Sequence, residues 1–564
     1  MITASAFLFI KARPPRQELV PKWKTRGPND QSETPSRQCL EDSWKRPRRQ
    51  AWNSCFSNGW RNLEAGLPLR PMVAASFIIA AYLCCLGLLS LWGIHRLALL
   101  RWFAMPDPTP KHALNRDATI LVQLPIYNEP SVVARLIDAV AVMDWPQLRI
   151  QVLDDSTDES TAIIAERVQG WRNRGINIQH IRRADRTGFK AGALAHGLQL
   201  DAAEFVAVFD ADFVPNPAFF TETMGGFHSP NVGMVQARWG HLNRDQNWLT
   251  RVEALLLDGH FVVEHTARYR TGRFFNFNGT AGIWRRRAIE EAGGWSHDTV
   301  TEDLDLSYRS QLSGWSFVYR ESVVVPAELP ASMQSFLTQQ HRWAKGTAQT
   351  ARKLALRIVR SPAPPRVRIE AMTHLTMVLA YPVVFGLALL LPLAIAARLD
   401  SDASVPLWLD MLALTTTTGS IGVFYAAALR SGGTSLRHRM LEIPAAMALG
   451  IGCSVSQSMA VVDGILSNDA TFVRTPKQGL RCSPAIHATS GNQLRVVLTG
   501  LMAMYYTVAL LAVLAAGQWL SLPLLALCWV GFAGVFLSLA GESVRTGATA
   551  EMDRQQSASL PGGL

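Results

Sequence analysis

Five stretches, 72–96, 371–397, 406–429, 496–517 and 520–541, stay apolar over the roughly 20 residues that a helix needs to cross a bilayer. A sixth, 441–466, is weaker because it contains Ser454, Ser456, Gln457 and Asp463. Lipid offers no partner to backbone N–H and C=O groups, so such runs must close their hydrogen bonds as helices. Residues 101–370, between the first two runs, hold no spanning segment and mix charges with short apolar runs. The layout is that of an integral membrane protein with a globular domain hung between its helices.

The net charge of +11 is unevenly placed, since 1–71 hold 13 Lys/Arg against 6 Asp/Glu. That leader is rich in Pro, Arg and Gln without periodicity and reads as disordered and solvated rather than as a nucleic-acid contact. Met72 opens the first apolar run, which makes it a candidate start with 1–71 a misread extension. The seven cysteines (39, 55, 84, 85, 453, 482, 528) form no CxxC pair, which argues against a disulfide framework or a zinc site.

Within the globular region strands and helices alternate. Apolar runs at 118–125, 148–153, 176–181 and in "EFVAVF" read as strands, with helical patterns at 131–143, 161–174 and 190–200 between them. This alternation predicts a mostly parallel sheet covered by helices on both faces, with ligands beyond the carboxyl ends of the strands. Three strands end there in polar residues: Tyr127/Asn128/Glu129, Asp154/Asp155 and Asp210/Asp212. No GxGxxG follows the first strand, which disfavours a dinucleotide site.

Asp210 and Asp212 lie two apart at a strand end, so both carboxylates can face one place. A divalent cation, Mg2+ or Mn2+, would relieve their repulsion and bind phosphate oxygens as well; a solvated turn is the competing account. Asp154 and Asp155 suit either ligand contact or turn capping. Lys190 in "RTGFKAGAL" begins a helix, where a cation opposes the macrodipole unless an anion answers it. Glu302 and Asp303 open a helix running from 302 to 313, with Thr299 or Thr301 as cap and Gly314 as stop. First-turn acids are favoured by the dipole alone, yet the edge still lacks a proton acceptor, and Asp303 could supply one. On a helix from 332 to 357, Gln339, Arg342 and Trp343 share one face. The arginine could brace a diphosphate and the indole a sugar ring, or the helix could simply anchor at a membrane surface.

In order along the chain stand PIYNE, LDDSTDES, FKAGAL, DAD, FNGTAG, TED and QQHRW, followed by apolar runs. Together they resemble the membrane-embedded processive glycosyltransferases of family 2, the cellulose synthases and cellulose-synthase-like glucan and mannan synthases. The resemblance implies an α/β nucleotide-sugar-binding domain of GT-A-like, mostly parallel sheet inserted between transmembrane α-helices. It divides the chain into a leader 1–71, a membrane helix 72–97, a cytoplasmic catalytic domain 101–331 and an interfacial helix 332–360. Membrane helices 371–541 with a cytoplasmic gating loop 467–495 follow, then a tail 542–564.

It further implies that Tyr127, Glu129, Asp154, Asp155 and Lys190 bind the nucleotide sugar and that Asp210 and Asp212 hold the metal. Asp303 would be the base, with Glu302, Gln339, Arg342 and Trp343 at the diphosphate and acceptor. "FVRTPK" looks like a gating loop, with Thr475 and Lys477 as contacts. The expected reaction is inverting transfer of a hexose to a growing polysaccharide, with export of the product. UDP-glucose is the first expected donor, and GDP-mannose and UDP-N-acetylglucosamine stay open. The alternative is a non-processive enzyme making a glycolipid or a polyprenyl-linked sugar. Glycan acceptor, lipid bilayer and accessory export subunits are the expected partners, nucleic acid is not, and a bacterial inner membrane with the catalytic domain inside is the expected location. Both ends of 441–466 would then be cytoplasmic, so that run should lie in the interface or re-enter. Its Ser454, Gln457 and Ser458 suit either a polymer passage or helix contacts.

Overall fold

A computed structural model describes residues 71–108, 116–400, 407–431, 436–471 and 491–559. The leader, Cys39, Cys55, Cys482 and the FVRTPK motif with Thr475 and Lys477 lie outside the described residues.

The globular region is built on one seven-stranded sheet of order β3-β2-β1-β4-β6-β5-β7. β1 (Ile120–Ile126), β2 (Leu148–Asp154), β3 (Ile178–Arg182) and β4 (Phe205–Val208) are mutually parallel. Helices Val133–Ala141, Ser160–Arg172 and Phe189–Gln199 connect them, so the expected alternation holds to within two or three residues. β1 is buried almost throughout, as a strand covered on both faces must be. One apolar layer packs Leu136, Ile137, Ile164 and Val168 against one side, and another packs Ala193, Leu194 and Leu198 against the other.

The second half of the sheet carries the deviation that makes the site. β5 (Val232–His241) and β7 (Ser316–Ala327) pair in parallel, whereas β6 (Gly282–Arg285) runs antiparallel to both β4 and β5. The loop that leads into β6, which contains FNGTAG, therefore arrives at the same rim where the other strands leave.

Among the described residues six helices are long and apolar enough to cross a membrane. The chain is a membrane protein on that ground. The weak run becomes an unbroken 25-residue helix, Glu442–Leu466, so it does not re-enter as a broken segment. It packs along the Met333–Arg360 helix and is tied to the globular region at both ends. Arg244 pairs with Glu442 at its start (3.6 Å), and Arg352 donates to the Ile465 carbonyl at its end (2.8 Å). Gly464 permits the close approach, since a Cβ there would meet the Lys345 carbonyl at 2.5 Å. Ser454, Gln457 and Ser458 are 0%, 1% and 8% exposed, which places them inside helix packing.

Candidate active site

The rim converges on one cleft lined by Tyr127, Glu129, Asp155, Lys190, Asp210, Asp212, Glu302, Asp303, Gln339, Arg342 and Trp343. These come from six separate sequence motifs, and the parallel topology is what gathers them. Lys190 enters from the first turn of the Phe189–Gln199 helix, launched by Gly188 at φ +74°. Its ammonium donates to Asp210 Oδ1 (2.6 Å) and to the Gly279 carbonyl (2.9 Å), with Glu302 at 3.9 Å. These carboxylates are the anions that a cation at a helix start requires. Burial alone would lower the pKa of Lys190, but Asp210 and then Glu302 outweigh it and raise the value.

The FNGTAG loop holds the other pieces in place. Ala281 donates its N–H to the Val208 carbonyl (2.9 Å), and Asp210 N–H donates to Thr280 Oγ1 (2.9 Å). Gly279 has φ +81°, and a Cβ there would lie 2.9 Å from Asp303 Oδ2 and 3.3 Å from Lys190 Nζ. Only glycine meets both demands. Asp303 sits in the first turn of the Glu302–Leu312 helix, and its own Oδ1 accepts the Leu304 N–H (2.7 Å). Burial, then the Glu302 charge, raises the Asp303 carboxyl to about 7. Burial likewise raises Glu302, against the pull of Lys190. The capping expectation fails here: neither Thr299 nor Thr301 caps this helix with its side chain, and Asp303 takes the Leu304 N–H itself. Gly314, at φ +97°, is the expected stop.

The QQHRW helix runs Met333–Arg360, and Ser332 caps it by accepting from Ser335 N–H. Gln339 is buried, and its Oε1 has no partner among the described residues. Burial lowers the pKa of Arg342 while Asp210, Glu302, Asp212 and Asp303 act to raise it, so its guanidinium feels all four acids. Two cations thus face four carboxylates, and the excess negative charge adds to burial in raising Glu302 and Asp303. A divalent cation suits that excess. No cluster of three or more ligating side chains exists among the described residues.

Three placements could not be read from the sequence. Asp154 turns away from the cleft: it is 1% exposed and accepts from Ser156 N–H (2.8 Å) and pairs with His180 (2.9 Å). Neighbours on an extended chain end point oppositely, so only Asp155 faces the ligand side. Asp155 is itself clasped by Arg183 (2.5 and 3.0 Å), and Arg186 lies 3.3 Å over the Tyr127 ring. Both arginines follow β3; Arg186 opens RTGFKAGAL, whereas Arg183 lies in no motif. Asn278, a step before Gly279, also lines the cleft.

A family model described as "Glycosyltransferase like family 2" matches residues 118–346. The chain is 38% identical over 368 residues to "Glucomannan 4-beta-mannosyltransferase 2" of Arabidopsis thaliana, covering 60% of this chain and 68% of that one. It is 44% identical over 266 residues to "Probable glucomannan 4-beta-mannosyltransferase 7" of Oryza sativa subsp. japonica, covering 46% of each. The chain therefore spans about half the length of the rice protein. Among solved structures, the mannosyltransferase PcManGT of Pyrobaculum calidifontis, in complex with GDP-Man and Mn2+, matches at 19% identity and TM-score 0.45, over 70% of this chain and 99% of that one. The fold and site define a glycosyltransferase. The chain belongs to glycosyltransferase family 2, in its cellulose-synthase-like branch. Both sequence relatives are plant proteins and give the expected bacterial membrane no support.

Proposed function

We propose that this glycosyltransferase is an inverting, processive β-mannosyltransferase that extends a mannan- or glucomannan-type polysaccharide at a membrane surface. The names of the sequence relatives move the first expected donor from UDP-glucose to GDP-mannose, and glucose remains a second donor to assay. The observation that carries the reading is the convergence on one cleft of Asp303, Lys190, the Asp210/Asp212 pair and the QxxRW face. Asp303 takes the proton of an acceptor hydroxyl, which attacks the anomeric carbon from the side opposite the diphosphate. Its raised pKa makes it a stronger base than an exposed aspartate. Lys190 and Arg342 take up charge as the diphosphate leaves. Asp210 and Asp212 would hold Mg2+ or Mn2+, which would offset the diphosphate charge. Trp343 gives the terminal acceptor sugar an apolar platform. Asp155 and Tyr127, with the arginines that hold them, suit the nucleotide.

The globular domain and the Met333–Arg360 helix belong on the cytoplasmic side, where nucleotide sugars are made. Glu442–Leu466 is read as lying along that surface, because both its ends bind residues of the globular side. The test is to incubate purified membranes with labelled GDP-mannose, GDP-glucose and UDP-glucose and to size the product. A β-linked polymer from GDP-mannose that Asp303→Asn abolishes is the expected outcome. A single sugar on lipid, or no use of GDP-mannose, would overturn the reading.

A further inference from the structure

Beside the base lies an amide held by a chain of side chains that reaches into the membrane helices. Asn278 lines the cleft next to Gly279. Its backbone N–H donates to Gln236 Oε1 (3.1 Å), its side-chain Nδ2 meets His260 Nε2 (3.0 Å), and its Oδ1 has no partner among the described residues. His260 Nδ1 faces Glu264 Oε2 (3.1 Å). Arg268 bonds Glu264 (3.2 Å) and also Glu370 (3.0 Å), which in turn meets His95 on the first membrane helix (2.8 Å). His260 and Glu264 stand on a π-helical turn, Gly259–His265, a distortion that often marks a functional position.

The chain fixes which way the amide faces. A carboxylate can only accept, so the His260 proton sits on Nδ1 and Nε2 is left as acceptor. Burial acts to raise the Glu264 carboxyl, but Arg268 and then His260 hold it well below its ordinary value, so it stays an acceptor. Asn278 must then turn its NH2 toward His260, which leaves its carbonyl oxygen for another partner. An orphaned buried acceptor is destabilising, and a ligand hydroxyl would relieve it.

We infer that Asn278 reads a sugar hydroxyl at the reaction centre, and that His260 and Glu264 are positioning residues that present its carbonyl oxygen. The inference rests on the glycosyltransfer reading above and goes beyond it by naming what discriminates the sugar. A site that hydrogen-bonds a hydroxyl discriminates sharply against substrates that place it elsewhere. The hydroxyl belongs to the donor or to the acceptor, and kinetics separate the two.

In purified full-length enzyme, kcat/KM is measured for GDP-mannose and GDP-glucose, which differ only in the hydroxyl beside the anomeric carbon. KM is also measured for an added manno-oligosaccharide. For a donor hydroxyl, Asn278→Ala shifts the ratio of the two donors by roughly tenfold. His260→Phe shifts it the same way, while His260→Gln, which can still accept from the amide and donate to Glu264, stays within about twofold of the parent. For an acceptor hydroxyl, the donor ratio holds and the oligosaccharide KM rises roughly tenfold in the same two variants, again rescued by glutamine. An active parent whose variants change neither quantity, or lose rate equally with both donors and without glutamine rescue, would overturn the inference alone. A parent silent with every donor would overturn the underlying reading together with it.

Discussion

In the role proposed for it, Asp303 would trade stability for chemistry. Its carboxyl is raised in the folded chain from 3.8 to about 7, so the fold favours its protonated form. That stability is fully present below the ordinary carboxylate value and is lost as pH rises through 7. Asp303→Asn should therefore unfold at a higher temperature than the parent at pH 8 and at nearly the same temperature at pH 4, while transfer falls at least about a hundredfold. Differential scanning fluorimetry and a polymer assay read the two effects. In the parent, kcat/KM should climb with pH through about 7, and the Asp303→Glu limb should differ. Gly279→Ala puts a methyl group against Asp303 Oδ2 and Lys190 Nζ at a backbone angle that suits glycine, and should cost activity well before it costs folding. The base role proposed for Asp303 could be put forward from the sequence alone because TED and QxxRW follow DxD. The partition of Asp154 from Asp155 could not, since a one-residue step at a strand end reverses which way a side chain points. Asn278 stands in FNGTAG and Arg186 opens RTGFKAGAL, but the pairings Arg183–Asp155, Arg186–Tyr127 and Asn278–His260 were hidden, because each joins distant segments.

At the scale of elements, β1 to β4 and their helices could be read from periodicity because every strand is an apolar run and every crossover a helical one. The far half of the sheet could not. β6 is only Gly282–Arg285, too short to show a period, and its reversed direction is a property of pairing that no local pattern encodes. The contact between the TED helix and the QxxRW helix is similarly non-local. A Cβ on Gly346 would come within 2.5 Å of Thr301 at the head of Glu302–Leu312. Gly346→Val should force those helices apart, cost about 1–3 kcal/mol and lower kcat more than donor binding. Urea titration of detergent-solubilised enzyme with single-turnover kinetics would measure both.

Across the whole molecule, membrane and globular parts share a buried charge network. Arg268 is fully buried between Glu264 and Glu370, and Glu370 also holds His95. Removing one member of a buried pair leaves the other uncompensated, so Glu370→Ala should cost about 3–5 kcal/mol, seen as loss of monodisperse enzyme on mild heating. Composition located the apolar runs, but it could not show that Glu442–Leu466 is pinned at both ends, because those pins are ion pairs and carbonyl contacts across distant segments. The pinning bears on lipid. A surface helix takes its depth from the headgroup boundary, so one fastened at Arg244 and Arg352 sets the depth of the domain it is fastened to. Turnover in proteoliposomes of graded anionic-lipid content should thus vary with composition, a dependence that weakens when Arg352 is replaced by alanine.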